Sequence, residues 1–131
     1  SADAAVATGI DLAAATGATL HLVTLVDTSK PWHRVASEEL RQAVDEAGRD
    51  VLDNAIMRAE AADVSTIEGS VGKGDPETAI LAHGRDRDAD LVAMGTHGRS
   101  GGNRYPLGSV TEHVVRAAET PVLSVRAVGE D

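Results

Sequence analysis

Short apolar runs alternate with longer stretches of helical spacing along this chain, and no other feature constrains its fold as strongly. Buried strands are indicated near residues 19–26, 64–70, 91–95 and 121–128, because each run is short, apolar and bounded by charged or turn-forming residues. Strands separated in this way by helices pair in parallel through right-handed crossovers, with helices on both faces of the sheet. The sequence therefore predicts an α/β fold with a doubly wound open parallel sheet, in a single domain over residues 1–131.

Local signals predict where the helices begin and end. Gly17 is a natural stop for a first helix over about residues 3–15. Asp75 followed by Pro76 is typical of an N-cap and a first helical position, so a helix is expected from Pro76, after a loop over residues 71–75. A long helix over about residues 35–62 follows a turn over residues 27–31, and its apolar residues recur on one predicted face: Leu40, Val44, Ala47, Val51, Ala55 and Ala59.

A glycine-rich segment, Gly95-Thr-His-Gly-Arg-Ser-Gly-Gly-Asn-Arg-Tyr-Pro-Leu-Gly-Ser109, lies between a predicted strand and a predicted helix. Its spacing, Gly-x2-Gly-x9-Gly-Ser, suits a backbone that wraps phosphate oxygens, because glycine permits both positive φ and close approach to a ligand. Ser109 would stand at the start of the helix, where unpaired N–H groups and the helix dipole favour an anion. The alternative is a glycine-rich connection without a ligand.

Composition excludes several other functions. The 131 residues contain no cysteine, which removes disulfides, thiolate catalysis and cysteine metal sites. Trp32 and Tyr105 are the whole complement of Phe, Tyr and Trp, so a stacking platform for single-stranded nucleic acid is not expected. A net charge of −9 would repel a nucleic-acid backbone. The acidic residues are dispersed, and this fits either a salt-adapted protein or an ordinary acidic cytoplasmic one. No membrane-spanning run or signal peptide is recognised, so a cytoplasmic location is expected.

The C-terminal half carries a family resemblance. The Gly95-x2-Gly98-x9-Gly108-Ser109 spacing, after Leu91-Val-Ala-Met94, resembles the nucleotide-binding signature of the universal stress protein family. The segment over residues 114–126 is similar to that family's last helix and strand. The resemblance implies a Rossmann-like fold of the adenine-nucleotide alpha-hydrolase type, with strand order 3-2-1-4-5. It also implies an ATP-binding stress-response protein that is often dimeric.

The resemblance implies a set of nucleotide contacts. Val26 would line the adenine pocket, and Met94 and Gly95 would lie beneath the ribose and first phosphate. The phosphates would contact main-chain N–H groups and hydroxyls of the glycine-rich segment and of the following helix. The implied nucleotide-binding residues are Val26, Met94, Gly95, His97, Gly98, Arg99, Gly108, Ser109, Val110 and Thr111. ATP, ADP and AMP all remain open, with Mg²⁺ or Mn²⁺ held through the phosphates. Arg99 and Arg104 would supply local positive charge, and Lys73 is a further cation near the predicted edge.

The family's first strand has no counterpart here, because the chain starts directly in a predicted helix. A doubly wound sheet without its central strand would leave two rows of backbone groups unpaired, at about 1–3 kcal/mol each. We therefore expect a further apolar strand before Ser1, ending in a turn that in this family carries an aspartate near the ribose and adenine. This contact cannot be assigned to a residue of the present chain.

Three functions remain open. The first is a nucleotide-dependent switch, the second an interaction module without ATP, and the third a slow ATPase with Glu112 as its nearest acidic residue. No catalytic residue and no protein metal site are assigned, since the five histidines share no metal spacing, and His21 is expected to be a satisfied structural histidine. By resemblance, the last strand, over residues 121–128, would form a homodimer by pairing edge to edge. No nucleic-acid or membrane partner is expected.

Overall fold

A computed structural model describes residues 2–95 and 109–125 of the chain. Five helices and four strands lie within these ranges, and apart from one additional short helix after the first strand they alternate as the sequence predicts. The helices are α1 (Ala2–Thr16), α2 (Pro31–Val35), α3 (Glu38–Ala61), α4 (Pro76–Asp86) and α5 (Ser109–Ala117). The strands are β1 (Thr19–Asp27), β2 (Thr66–Gly74), β3 (Val92–Gly95) and β4 (Val122–Val125).

The strands form two parallel pairs. In the first, β1 pairs with β2 in a register that runs from Thr19 opposite Thr66 to Asp27 opposite Gly74. In the second, β3 pairs with β4, from Val92 opposite Val122 to Gly95 opposite Val125. Within the described residues no ladder joins β1 to β3, so the two pairs are separate sheets, and α1 packs against strands of both. This arrangement agrees with the two outer halves of the expected order 3-2-1-4-5, and the central strand stays a prediction.

The main core lies between the first strand pair and the helices α1 and α3. Its buried members are Ile10, Ala13, Leu22, Leu52, Ala55, Ala59 and Val64. A glycine of β2 lets α3 approach the sheet closely: a Cβ at Gly69 would lie 2.9 Å from Ile56 Cδ1 and 3.1 Å from Leu52 Cδ1. Gly48 of α3 faces β1 less tightly, since a Cβ there would meet the Thr24 and Val26 methyl groups at 3.5 and 3.6 Å, which are ordinary contact distances.

The predicted inner face of α3 is only partly correct. Ala55 and Ala59 are buried, but Leu40 is 49% exposed and Val51 is 62% exposed. The face that meets the sheet is formed by Gly48, Leu52, Ala55 and Ala59. Hydrophobicity alone favoured the larger side chains. The stripe that meets the sheet instead includes Leu52, which packs over Gly69 of β2: a Cβ there would lie 3.1 Å from Leu52 Cδ1.

One of four local predictions was wrong, and the other three agree with the structure. The expected loop over residues 71–75 is strand as far as Gly74, because pairing with β1 continues along its whole length. The expected turn after β1 leads into a short helix, α2. Asp75 is the N-cap of α4 and its side chain accepts a hydrogen bond from the Thr78 N–H. Gly17 follows α1 with a φ of 73°, as its role as a stop requires.

Candidate functional site

The carboxyl ends of β1 and β2 form one continuous edge. The ladder between them extends one step beyond the strands, because the Thr28 N–H donates to the Gly74 carbonyl at 3.3 Å. Val26, the first residue of the implied adenine pocket, lies at this edge. Its side chain is buried against Gly48 of α3. Strand pairing and packing on α3 therefore both position this edge.

A compact turn closes the end of β1. The Asp27 carboxylate accepts hydrogen bonds from the Ser29 N–H, at 3.0 Å, and from the Ser29 hydroxyl. The Trp32 indole N–H donates to the Asp27 carbonyl at 3.1 Å. From α3, the Arg41 guanidinium donates through Nε and Nη2 to the His33 carbonyl, the former at 3.0 Å. The Trp32 and Arg41 side chains thus hold α2 against the end of β1.

A second contact set lies beside β2. Gly72 is buried, and a Cβ there would stand 2.8 Å from both His83 Nε2 and Leu25 Cδ2. The other ring nitrogen, Nδ1 of His83, lies 2.9 Å from Arg87 Nη1. A guanidinium can only donate, so Nδ1 accepts and the ring proton belongs on Nε2. His83 is therefore a packed and oriented side chain against the backbone of β2.

Lys73 does not extend freely from the edge. Its ammonium lies 2.9 Å from the Asp45 carboxylate of α3. Both side chains are partly exposed, so the pair contributes little stability in water. It nevertheless directs the lysine towards α3, and a phosphate contact by Lys73 would require this ion pair to open.

The second half of the implied site begins at β3. Met94 is half-buried and lies opposite Ser124 of β4, and Gly95 ends the strand opposite Val125. His97, Gly98, Arg99 and Gly108 lie outside the described residues. The implied phosphate-binding segment is therefore framed on one side by the end of β3 and on the other by the start of α5.

Helix α5 begins at Ser109, which is exposed, and Val110 is half-buried. The next turn is firmly packed: Thr111 is 3% exposed and Val114 is fully buried. The two buried positions are three residues apart and so lie on one face of the helix. This face anchors α5 while the exposed Ser109 stands at its amino end, where the first N–H groups lack partners within the helix.

One histidine–carboxylate contact and one ion pair involve α5 in the described part of the chain. Nδ1 of His113 lies 3.6 Å from the Glu77 carboxylate in the first turn of α4. Glu112, the acidic residue considered for ATP hydrolysis, is paired with Arg116 one turn on, at 2.7 Å. The first contact ties the start of α5 to the start of α4. The second occupies Glu112 on the helix surface.

The structure tests the expectation for His21. Nε2 of His21 lies 3.8 Å from the Glu68 carboxylate, but its buried Nδ1 has no hydrogen-bond partner within the described part of the chain. The expectation of a satisfied structural histidine was therefore wrong for this atom. Across residues 2–95 and 109–125, no group of three or more His, Cys, Asp or Glu side chains is arranged to hold a metal ion. In the same ranges, no helix is long and apolar enough to cross a bilayer.

Sequence reasoning missed the side chains that shape the first edge. Trp32 and Arg41 act through contacts to backbone carbonyls five and eight residues away. His83 acts through a glycine on another element. For Trp32 the sequence did hold a signal: it is the one tryptophan of the chain, and it follows Pro31 shortly after a predicted strand.

Comparisons with known proteins agree with this architecture. A protein-family model described as Universal stress protein family matches residues 1–126. Universal stress protein YxiE of Bacillus subtilis is 34% identical over 89 residues, which are 68% of this chain and 60% of YxiE. The chain spans between 52% and 60% of the length of three curated relatives from Bacillus subtilis and Methanocaldococcus jannaschii.

Solved structures extend the agreement to nearly the whole chain. The universal stress protein UspA from Lactobacillus plantarum superposes with a TM-score of 0.85 over 95% of this chain and 88% of its own, at 23% identity, which bears on the fold alone. A universal stress protein solved in complex with cAMP superposes with a TM-score of 0.65 over 96% of this chain and 86% of its own, at 30% identity. The fold is thus the Rossmann-like α/β fold that the sequence predicts. With its parallel strand pairs and the family match over residues 1–126, the chain belongs to the universal stress protein family.

Proposed function

We propose that this chain binds an adenine nucleotide, with its phosphates at the amino end of α5, and acts as a nucleotide-dependent switch in a stress response. One observation carries the proposal: α5 begins at Ser109, the last residue of the Gly-x2-Gly-x9-Gly-Ser spacing. The glycine-rich sequence therefore leads directly into the amino end of a helix, where the helix dipole favours an anion. That combination suits phosphate oxygens.

The packing of α5 supports a fixed anion site. Burial of Thr111 and Val114 holds the first turn in place, and the Glu77–His113 contact adds a second attachment. A helix that does not need to reorganise presents its dipole to a ligand without an ordering cost. Exposure of Ser109 leaves its hydroxyl open to an approaching phosphate.

The base would bind towards the first strand pair. In an open α/β sheet, ligands bind beyond the carboxyl ends of the strands, where the strand order reverses. Val26 and Met94 stand near the ends of β1 and β3, which flank the predicted central strand, next to that reversal, in the expected order. The relative solved with cAMP, itself an adenine nucleotide, is consistent with this class of ligand.

The net charge of the chain determines what the site must supply to bind a polyphosphate. A chain with a net charge of −9 must supply positive charge locally if it binds a polyphosphate. Arg99 and Arg104, in the glycine-rich segment, would do so, and a divalent cation would be held by the phosphates. We expect ATP to bind more tightly with Mg²⁺ or Mn²⁺ present, and ADP and AMP to be the other ligands to test.

The switch would act through a homodimer in the cytoplasm. In the described residues β4 has one hydrogen-bonded neighbour, β3, and in this proposal its other edge pairs with a second copy. An exposed strand edge is a template for pairing. Sedimentation with and without ATP tests this part of the proposal, and a monomer at all micromolar concentrations would contradict it.

The decisive experiment measures bound nucleotide. Protein is purified and denatured, and the released small molecules are identified by mass spectrometry, while calorimetry measures ATP affinity of the emptied protein. Ser109→Ala and Gly98→Val should weaken ATP binding while the circular dichroism spectrum is retained. Ser65→Ala removes an exposed serine at the amino end of β2, the opposite strand end, and should leave affinity unchanged. Folded protein that neither carries nor binds a nucleotide would overturn the proposal.

An interaction module is the second candidate, and one observation favours it. Leu40 and Val51 of α3 are exposed, although both lie on an apolar stripe. A slow ATPase is less well supported, because Glu112 is already paired with Arg116. Multiple-turnover phosphate release, abolished in Glu112→Ala but not in Glu119→Ala, would favour the enzyme over the switch.

A further inference from the structure

Trp32 lies at the edge where the proposed nucleotide site begins. Its indole N–H donates to the carbonyl of Asp27, the residue after Val26. The ladder step from Thr28 to Gly74 places the same turn beside the end of β2. Trp32 is therefore held at the carboxyl ends of two strands, although α2 itself is not part of the sheet.

The surroundings of the indole are sparse. None of the five residues of α2, all of them in the described part of the chain, is buried, and Val35 is 83% exposed. The indole meets the His33 ring at a centroid distance of 5.4 Å with the ring planes perpendicular. Trp32 is half-buried, and the helix that carries it contributes no buried residue to the core. Filling the core is therefore not the role of this side chain.

The way in which Trp32 is held determines what it can offer a ligand. Its polar atom is satisfied at the ring edge by the Asp27 carbonyl, so what it presents is the π-surface. A purine base stacks on such a surface, whereas an inorganic polyphosphate has nothing to stack. The chain has two residues of the Phe, Tyr and Trp types, Trp32 and Tyr105, and of these only Trp32 lies within the described residues.

We infer that the Trp32 indole forms one wall of the pocket for the adenine base, with α2 as the element that carries it there. This inference rests on the proposed nucleotide binding and names a residue that the family signature does not include. Trp32 would act on the base end of the ligand alone. Its contribution is therefore separable from that of the phosphate end at Ser109.

The test compares ligands with and without a base. ATP and inorganic tripolyphosphate are titrated by calorimetry into the wild type and the Trp32→Ala and Trp32→Phe variants. Loss of one base–aromatic stack should weaken ATP about 5- to 150-fold in Trp32→Ala. Tripolyphosphate affinity should not change, and Trp32→Phe should retain most of the ATP affinity because it keeps a ring. Val35→Ala, on the same helix and exposed, is the matched control and should bind both ligands normally.

A second readout does not depend on a variant that folds. Trp32 is the one tryptophan of the chain, so its emission reports on this residue alone. ATP should change that emission in the wild type and tripolyphosphate should not. If ATP binds by calorimetry but leaves both the emission and the Trp32→Ala affinity unchanged, the inference is wrong and nucleotide binding stands. If ATP does not bind the wild type at all, both proposals fail together.

Discussion

Nδ1 of His113 lies 3.6 Å from the carboxylate of Glu77, and this contact connects the second turn of α5 to the first turn of α4. Both helices begin at the edge of the sheet on which a ligand would bind: α4 directly after β2, and α5 directly after the glycine-rich segment. The two candidate edges are thereby linked through a pair of side chains that are each partly exposed.

The Glu77–His113 pair should contribute little to stability. Glu77→Gln is expected to lower the free energy of unfolding by less than about 1 kcal/mol, because the side chains are accessible to water. A double-mutant cycle with His113→Gln, measured by denaturant unfolding at two salt concentrations, gives the coupling energy. A coupling well above that limit, or one that does not fall with salt, would show that the contact is more buried than its exposure indicates.

Gly72→Ala should destabilise the protein by about 1–3 kcal/mol through overpacking. A Cβ at this position would stand 2.8 Å from both His83 Nε2 and Leu25 Cδ2, so two side chains must shift. Gly9→Ala is the matched control, because a Cβ there would meet Leu20 Cδ1 at an ordinary 3.7 Å within a helix. That control should stabilise by about 0.5–1 kcal/mol. Thermal and urea unfolding of both variants would contradict the structure if their order were reversed.

Val114→Ala should cost about 1.5–3 kcal/mol, because it removes two methyl groups from a fully buried side chain and leaves a cavity. The neighbouring Val115 is exposed, and Val115→Ala should change stability by less than about 0.5 kcal/mol. If α5 holds phosphates, only the first variant should also weaken ATP binding. Equal losses of stability would show that α5 is not packed on the Val114 face.

Asp75→Ala should destabilise α4 by about 1 kcal/mol, since the carboxylate caps the Thr78 N–H and also accepts from the Thr78 hydroxyl at 3.0 Å. Asp75→Asn keeps an acceptor and should recover most of the loss. Urea unfolding of the three proteins measures this. An Asn variant as unstable as the Ala variant would assign the effect to charge near the helix dipole rather than to capping.

Local sequence signals predicted the positions of helices and strands well, but they predicted the contacts between these elements less well. The Asp75-Pro76 pair and Gly17 are read correctly because capping depends only on neighbouring residues. Strand β2 runs to Gly74 despite two glycines near its end, because its register with β1 supplies hydrogen bonds that propensity does not include. The length of β2 is therefore set by its pairing with β1 rather than by local sequence preference.

The same distinction applies to the candidate site. Ser109 at the start of α5 followed from spacing within one segment. Trp32 and His83 did not, since each acts on backbone or glycine positions that only the folded chain brings near. The inner face of α3 was misjudged for a related reason: Leu52 and Ile56 pack over Gly69 of β2, and a search for apolar residues along the helix alone overlooks that contact.

The division of the sheet into two parallel pairs has a consequence for the order of assembly. Residues 19–74 contain β1, α3 and β2, while β3, α5 and β4 lie within residues 92–125. Each pair is closed by its own crossover, so neither waits for a chain contact from the other. During synthesis from the amino end, the first pair can fold on α1 and α3 while the glycine-rich segment is still being translated. If the chain binds a nucleotide as proposed, the first strand pair would then be folded before the nucleotide binds.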